Sequence, residues 1–453
     1  MVIGGGAAGF FGAIACAERH PHAQVMILEA GRKPLAKVRI SGGGRCNVTH
    51  HCFEPALFIQ NYPRGSKALR GAFTRFQAQD TVNWFASRGV ALKTEGDGRM
   101  FPVTDSSQTV IDCLQNAAQN AGVALRTGVR VENVKKGETG GFTVHLKSGE
   151  IIECDRVLLA TGSNPKGYQW AQSLGHKLIS PVPSLFTFDI TDQRLQDLAG
   201  ITVETVSLRL LETGKKKLEQ TGPLLITHWG ISGPAVLKLS AWGARELRDR
   251  AYRMPLQINW LPQYNNETLR QHLLEIKTQQ PKRKIIANCP FDLPKRFWQK
   301  IVSYVGISPD KPWAELAKKE LNKLIQELNQ GCYKIQGKGV FKEEFVTCGG
   351  VNLKEVNFKT LESRICPGLH FAGEILDIDG VTGGFNFQSA WTTGWLAGVA
   401  MGNDEWLMIY SICEPFKAIL EPRFLICWPD KVSILPQKPG FFLIIILWLQ
   451  PLL

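Results

Sequence analysis

Val2-Ile3-Gly4-Gly5-Gly6-Ala7-Ala8-Gly9 leads into an apolar stretch from Phe10 to Arg19, and Gln24 to Leu28 then runs into Glu29. A strand, a glycine turn, a helix and a second strand in that order make a β-α-β unit. Gly4, Gly6 and Gly9 fit the spacing GxGxxG. The first glycine permits a tight turn, the second lets the backbone approach a pyrophosphate, and the third lets helix and strand pack closely. The helix start at Ala7 and Ala8 offers unpaired N–H donors and a positive dipole end. Glu29 stands 20 residues after Gly9, at the end of the second strand and just before Ala30, where a carboxylate can accept ribose hydroxyls. The unit reads as Rossmann-type and dinucleotide-binding. FAD and NAD both present an adenosine diphosphate, so this stretch alone does not choose between them. Val2-Ile3 is short beside the usual five or six strand residues, and further strand residues are expected ahead of Met1.

Working outward, Leu35 to Thr49 reads as a basic, glycine-rich loop. Its centre, Ser41-Gly42-Gly43-Gly44-Arg45-Cys46-Asn47, leaves backbone N–H groups free to face phosphate oxygens or a flavin edge. Lys37, Arg39 and Arg45 add positive charge. Helical patterns follow near Ala68 to Phe76 and Thr81 to Ser87, then a hairpin from Gly96 to Phe101 and a helix from Ser107 to Asn120. Val123 to Arg130, Phe142 to Leu146 and Ile151 to Leu159 alternate as strands, the last closing on Ala160-Thr161-Gly162. Strand patterns return at Phe341 to Val346 and Leu369 to Ala372, and Gln388 to about Ala400 reads as a helix. Between those two lie Gly373-Glu374, Asp377 to Gly380 and Gly383-Gly384-Phe385-Asn386. A carboxylate at a strand end suits a ribitol hydroxyl. A diglycine turn entering a helix aims N–H groups at the flavin N1/O2 edge, where reduction builds negative charge.

Composition sets the broad class. The chain has 453 residues, 44% of them hydrophobic and 21% charged, which is globular composition with room for two or three domains. The formal net charge is +13, which favours anionic partners. Residues 261–340 hold 14 lysines and arginines against 7 aspartates and glutamates, so about half of the excess sits in 80 residues. The 11 cysteines are scattered with no CxxC pair, so neither a dithiol centre nor a zinc cage is indicated; no metal site is expected. Single thiols and the lack of a signal-peptide pattern suggest a reducing cytoplasm. The apolar run Phe441 to Leu453 is 13 residues, short of the roughly 20 that span a bilayer, so no stable membrane association is expected. Nothing in the sequence sets an oligomeric state.

Taken together, VIGGGAAG, KVRISGGGRCNVTH, GRMFPVTDSS, LLATGS, THWGISGPAVLKLS, KEEFVTCGGVNLKEV and FAGEILDIDGVTGGFNFQSAWTTGWLAG resemble the BaiN/RdsA (YhiN-like) family of flavoproteins, from residue 2 to about 400. The resemblance implies FAD as the tightly held nucleotide. It implies an α/β fold: a Rossmann-type FAD-binding domain of the glutathione-reductase type, interrupted by an inserted β-rich subdomain and a helical subdomain. The composition shifts agree, with the FAD-binding part at 1–185 plus 340–402, the β-rich part at 186–262, the basic helical part at 263–339 and a tail outside the fold at 403–453. Two features depart from the family pattern: His50-His51, where members carry asparagine, and the tail itself.

The cofactor-binding set drawn from the motifs is Gly4, Gly6, Ala7, Ala8, Gly9, Glu29, Ala30, Lys37, Ser41, Gly42, Gly43, Arg45, Cys46 and Asn47 in the first part. Val131, Thr161, Gly162, Gly373, Glu374, Asp379, Gly383, Gly384, Phe385 and Asn386 complete it. For catalysis the candidates are Cys46 as a thiol, Arg99 as an anion holder and His228 as an acid, with His50 and His51 weighed beside them; each also has a plain structural role open to it. No second GxGxxG appears, so NADH or NADPH is expected as a transient electron donor. Family members are associated with two hydride-accepting substrates, uridine in large-subunit ribosomal RNA and the C=C bond of oxo-steroids. Hydride from flavin N5 and a general acid serve both. The basic insert favours ribosomal RNA as partner, since phosphate contacts need clustered Lys and Arg. An FAD-dependent RNA methyl-transferring enzyme and a flavin-binding protein without turnover are the other classes considered.

Overall fold

A computed structural model describes residues 1–138, 140–214, 217–339 and 346–402, together with 427–428 and 431–432. Its centre is a sheet ordered Val356–Asn357, Glu362–Ser363, Leu369–Phe371, Val157–Leu159, Val2–Ile3, Met26–Glu29, Ala124–Thr127. The last five run parallel, and Val2 lies between Leu158 and Ile27. The inner strands are short but buried, which is what a sheet covered on both faces requires.

Two helices fix the frame. Ala7–Arg19 is buried from Ala8 to Ala17, and Phe385–Ala400 is buried over much of its circumference. Glycine lets them meet backbone to backbone. A Cβ on Gly394 would stand 2.5 Å from Ala8 O, and one on Gly398 would stand 2.1 Å from Gly12 O. The contact advances in step along both chains, from Ala8 to Gly12 as Gly394 gives way to Gly398. The helices therefore run parallel, with their N-termini at the same end of the sheet.

A three-stranded sheet, Thr49–His50, Arg99–Pro102 and Leu92–Thr94, contains the expected hairpin. Val131–Lys136, Phe142–Leu146 and Ile151–Cys154 form a meander. The chain leaves along Leu178–Ser184 and returns along Val346–Val351, which pair antiparallel. Between them lies a second seven-stranded sheet, ordered Gly331–Ile335, Met254–Asn259, Thr202–Leu210, Leu218–Ile226, Gly230–Ser232, Phe188–Asp189, Gly337–Lys338. Helices Asn266–Gln279, Lys295–Tyr304 and Lys318–Gln330 share one core with it, where Leu208 and Ile258 join Leu273, Phe297, Trp298 and Leu328.

Three readings are corrected or lie out of reach. Pro234–Trp242 and Ala244–Asp249 are helices inside the stretch read as strands and turns. The first is short and apolar nearly throughout, which hides its period, although Pro234 at its start is a usual helix signal. The loop from Leu35 begins as helix at Ala36, and Ser41, with ψ 150°, ends it. The strand pattern at 341–345 and the tail from 403 lie outside the described residues, save for Cys427–Trp428 paired with Lys431–Val432. Among the described residues, no helix is long and apolar enough to cross a membrane.

The parallel helix contact generates a stability test. Gly398→Val drives a side chain into the facing backbone and is expected to cost ~3 kcal/mol, the upper end for overpacking. Gly71→Ala, in Ser66–Phe73, meets no atom within 4 Å and is expected to stabilise by ~0.5 kcal/mol. Urea unfolding of both variants checks the contrast.

Candidate functional site

The three glycines of the first turn have three different explanations. Gly4 has φ +112°, and a Cβ there would stand 2.4 Å from Ala160 O. At Gly9 a Cβ would stand 1.9 Å from Gly4 O, so the helix could not seat on the strand. Gly6 is extended, with φ −93°, and no described atom lies within 4 Å of the position its Cβ would take. The fold accounts for Gly4 and Gly9 and leaves Gly6 unexplained. An open face over uncapped N–H groups is what a ligand approaching the backbone needs. The first intrahelical bond is Phe10 N to Gly6 O, and no side chain caps this helix. Ala7 and Ala8 stand beside that open face.

Glu29 lies next to the turn. Its carboxylate accepts Gly5 N–H and Gly31 N–H, each at 2.6 Å, which orients it and leaves lone pairs for further donors. Val129 N–H donates to Glu29 O at 2.9 Å and Gly128 N–H to Gly31 O at 3.0 Å, just before Val131 begins its strand; Ala30 is exposed. Thr161 Cα would lie 3.1 Å from a Gly4 Cβ, and a Gly162 Cβ would lie 3.5 Å from Glu374 Oε2. Gly373, with φ +74°, packs on Ala8. Glu374 accepts Thr347 N–H at 2.9 Å and pairs with Lys37. Four segments far apart in sequence thus meet at one end of the sheet. Thr161 Oγ1 and Tyr168 Oη are buried there without a hydrogen-bond partner.

The second glycine loop is locked to the diglycine turn. Gly42, Gly43 and Gly44 have φ of +57°, +69° and +83°. Gly42 is backed by Phe101 and Asn47, whereas Gly43 and Gly44 are open. Asn47, oriented as its neighbours dictate, accepts Gly384 N–H at 2.9 Å and donates to Thr49 O at 3.0 Å. His50 Nδ1 lies 3.1 Å from Gly383 O, and Thr49 Oγ1 donates to Gln388 Oε1 at 2.6 Å. Trp391 Nε1 donates to Val48 O at 2.9 Å. Gly384 has φ +91°, and a Cβ there would stand 2.4 Å from Thr49 O. Helix Phe385–Ala400 has no side-chain cap, and its first N–H groups, from Phe385 on, have no acceptor among the described residues.

Several candidates have other work. Asp379 is fully buried, and its carboxylate is filled by Arg64 and by Ser184 Oγ at 2.7 Å, so it does not serve a ribitol hydroxyl. Arg64 also donates to Ala241 O at 2.7 Å and ties the inserted part to this loop. Asn386 spends its amide on Gly380, donating to its carbonyl and accepting its N–H at 2.8 Å each. Arg45 pairs with Glu95 at 2.6 Å over the Phe101 ring. Arg99 pairs with Glu95 and Asp97 and is not an unopposed anion holder. Cys46 is wholly buried, and burial pushes its thiol up to about 12, the Ser41 hydrogen bond opposing. Neither its burial nor that shift suits a nucleophile. His228 is exposed on a hairpin tip of the inserted sheet, next to Trp229. Arg64 and Tyr168 were missed, because their partners lie far off in the chain and no local pattern marks them.

A family model described as the HI0933-like protein Rossmann domain matches residues 1–400. The chain belongs to the HI0933-like family. Among its relatives, the ribosomal RNA dihydrouridine synthase of Escherichia coli (strain K12) is 32% identical over 409 residues, covering 87% of this chain and 96% of that one. The 3-dehydro-bile acid delta(4,6)-reductase of Clostridium scindens is 32% identical over 417 residues, covering 88% and 98%. A solved 3-ketosteroid-delta4-(5alpha)-dehydrogenase from Rhodococcus jostii RHA1 has a TM-score of 0.47 at 16% identity, over 89% of this chain and 96% of that one.

Gly6 and Cys46 each give a test in this HI0933-like chain. A Cβ at Gly6 meets no atom within 4 Å beyond its chain neighbours, and Gly6→Val is expected to leave apoprotein stability within ~0.5 kcal/mol while FAD content falls to a small residue. Cys46, wholly buried and with its thiol pushed up by burial, is expected to stay unalkylated in the native chain and react on unfolding, read by peptide mass mapping.

Proposed function

We propose that this chain holds one FAD across the two glycine turns and uses it to reduce an activated C=C bond, the substrate being a uridine in large-subunit ribosomal RNA. The observation that carries the reading is Gly6, a glycine without a reason in the fold, set beside two parallel helices with uncapped N-termini. Bound FAD, reduced by NADH or NADPH, would supply a hydride to one alkene carbon, with a general acid giving the proton to the other. The residues hold and orient. The N–H groups of Gly6, Ala7 and Ala8 suit a pyrophosphate, and the carboxylate of Glu29 suits the ribose. The N–H groups from Phe385 on suit the pyrimidine edge, where negative charge develops.

The relatives' names share one chemistry. Dihydrouridine is uridine with its ring C=C saturated, and a delta(4,6)-reductase also acts on C=C bonds. Charge favours RNA over a steroid. Lys282, Arg283 and Lys295 are exposed and make no hydrogen bond or ion pair through their side chains among the described residues. Lys284 faces Asp310 at 2.6 Å and Arg296 faces Asp197 O, so those two are partly spent. Apolar steroid recognition gains nothing from such charges.

Lys282→Glu, Arg283→Glu and Lys295→Glu together are expected to abolish reduction of ribosomal RNA while FAD stays bound and reducible. Removing one phosphate-binding side chain lowers the salt slope of RNA binding by about one unit. RNA reduction equal to wild type would remove the charge argument. Reduction of an oxo-steroid, with unmodified ribosomal RNA never reduced, would put the enone reading in its place.

A further inference from the structure

The ring of His50 is held on three sides. Its Nδ1 lies 3.1 Å from Gly383 O, and a carbonyl only accepts, so Nδ1 carries a proton. The ring stacks on Phe385 with centroids 4.7 Å apart and planes at 30°. On the third side is Gly98, with φ +84°, where a Cβ would stand 2.6 Å from Nε2. That glycine leaves the space the imidazole fills. Pairing of Thr49–His50 with Met100 and Arg99 sets the position. Nε2 is then the atom that gains or loses the second proton. Gly383 opens the turn whose following N–H groups suit a flavin edge.

We propose that His50 is a positioning residue of the flavin seat: it holds the Gly383 carbonyl and, when protonated, places a positive charge beside the edge on which flavin reduction puts negative charge. This rests on the reading that FAD lies with its pyrimidine edge at Gly383–Phe385. Burial holds the ring below the ordinary histidine range, the Gly383 hydrogen bond and Asp97 pull it up, and Lys238 and His51 add to the lowering. Asp97 is paired with Arg99, Lys238 comes from Pro234–Trp242 of the inserted part, and Gly383 and Phe385 bring no charge. These groups of the chain together favour the neutral ring near pH 7. A negative charge on reduced FAD draws its protonation to higher pH, and by linkage the proton taken up favours reduction as pH falls. One further proton per two electrons changes the equilibrium about tenfold per pH unit, ~30 mV.

The test compares FAD-loaded wild type, His50→Asn and His50→Leu. Asparagine keeps an N–H for Gly383 O but cannot take a charge; leucine keeps neither. Midpoint potentials against reference dyes from about pH 5.5 to about pH 8 are expected to fall more steeply with pH in wild type than in His50→Asn, by up to ~30 mV per pH unit. FAD is expected to bind about tenfold more weakly to His50→Leu and about as tightly to His50→Asn. Parallel lines for wild type and His50→Asn would overturn the proposal, whether or not His50→Leu folds. Wild type that takes up no FAD at all would overturn the flavin reading and the proposal with it; FAD bound with parallel lines removes the proposal alone.

Discussion

Helices Ala7–Arg19 and Phe385–Ala400 can lie parallel and in backbone contact only because Gly12, Gly394 and Gly398 have no side chains. Everything at the site follows from that approach. It brings two uncapped N-termini to one end of the sheet, although 378 residues separate Ala7 from Phe385. Each helix end contributes about half a positive charge and N–H groups without acceptors. The Ala8–Gly394 register sets the Phe385 end about 12 Å beyond the Ala7 end along the axis, so both positive ends stay unsatisfied unless something negative reaches along the two of them. An anionic dinucleotide meets that need in a way that no side chain in the described structure does.

A second constraint joins the front of the chain to its end. Asn47, Val48, Thr49 and His50 each bond to a residue between Gly383 and Trp391. The second glycine loop is thereby coupled to the turn that opens the last helix. Arg64 adds a buried tie through Asp379, Ser184 and Ala241. Removing one partner of such a buried pair costs ~3–5 kcal/mol, because the other charge is left uncompensated. The inserted part is thereby tied, through Arg64, to the loop that leads into the diglycine turn.

Much of this was legible in the sequence where the signal is local. Gly4, Gly6, Gly9 and Glu29 announce themselves by spacing, and the helix Ser107–Asn120 by its period. The diglycine turn was legible because a positive φ demands glycine. What stayed hidden depends on distant partners. Asp379 reads as a ligand carboxylate until Arg64, 315 residues away, fills it. Arg45 and Arg99 read as anion holders because Glu95, Asp97 and Asp105 are neutral facts in a string and neighbours only after the hairpin forms. Pro234–Trp242 escaped because a helix buried on several faces has no amphipathic stripe.

The position of FAD decides how these parts work together, and a crystal structure of the FAD-bound chain tests it most directly. The pyrophosphate is expected within hydrogen-bond reach of Gly6 and Ala7 N–H, with the flavin pyrimidine edge against the N–H groups that open at Phe385. A flavin seated away from the Gly383–Phe385 turn, or a pyrophosphate that leaves the open face of Gly6 empty, would contradict this.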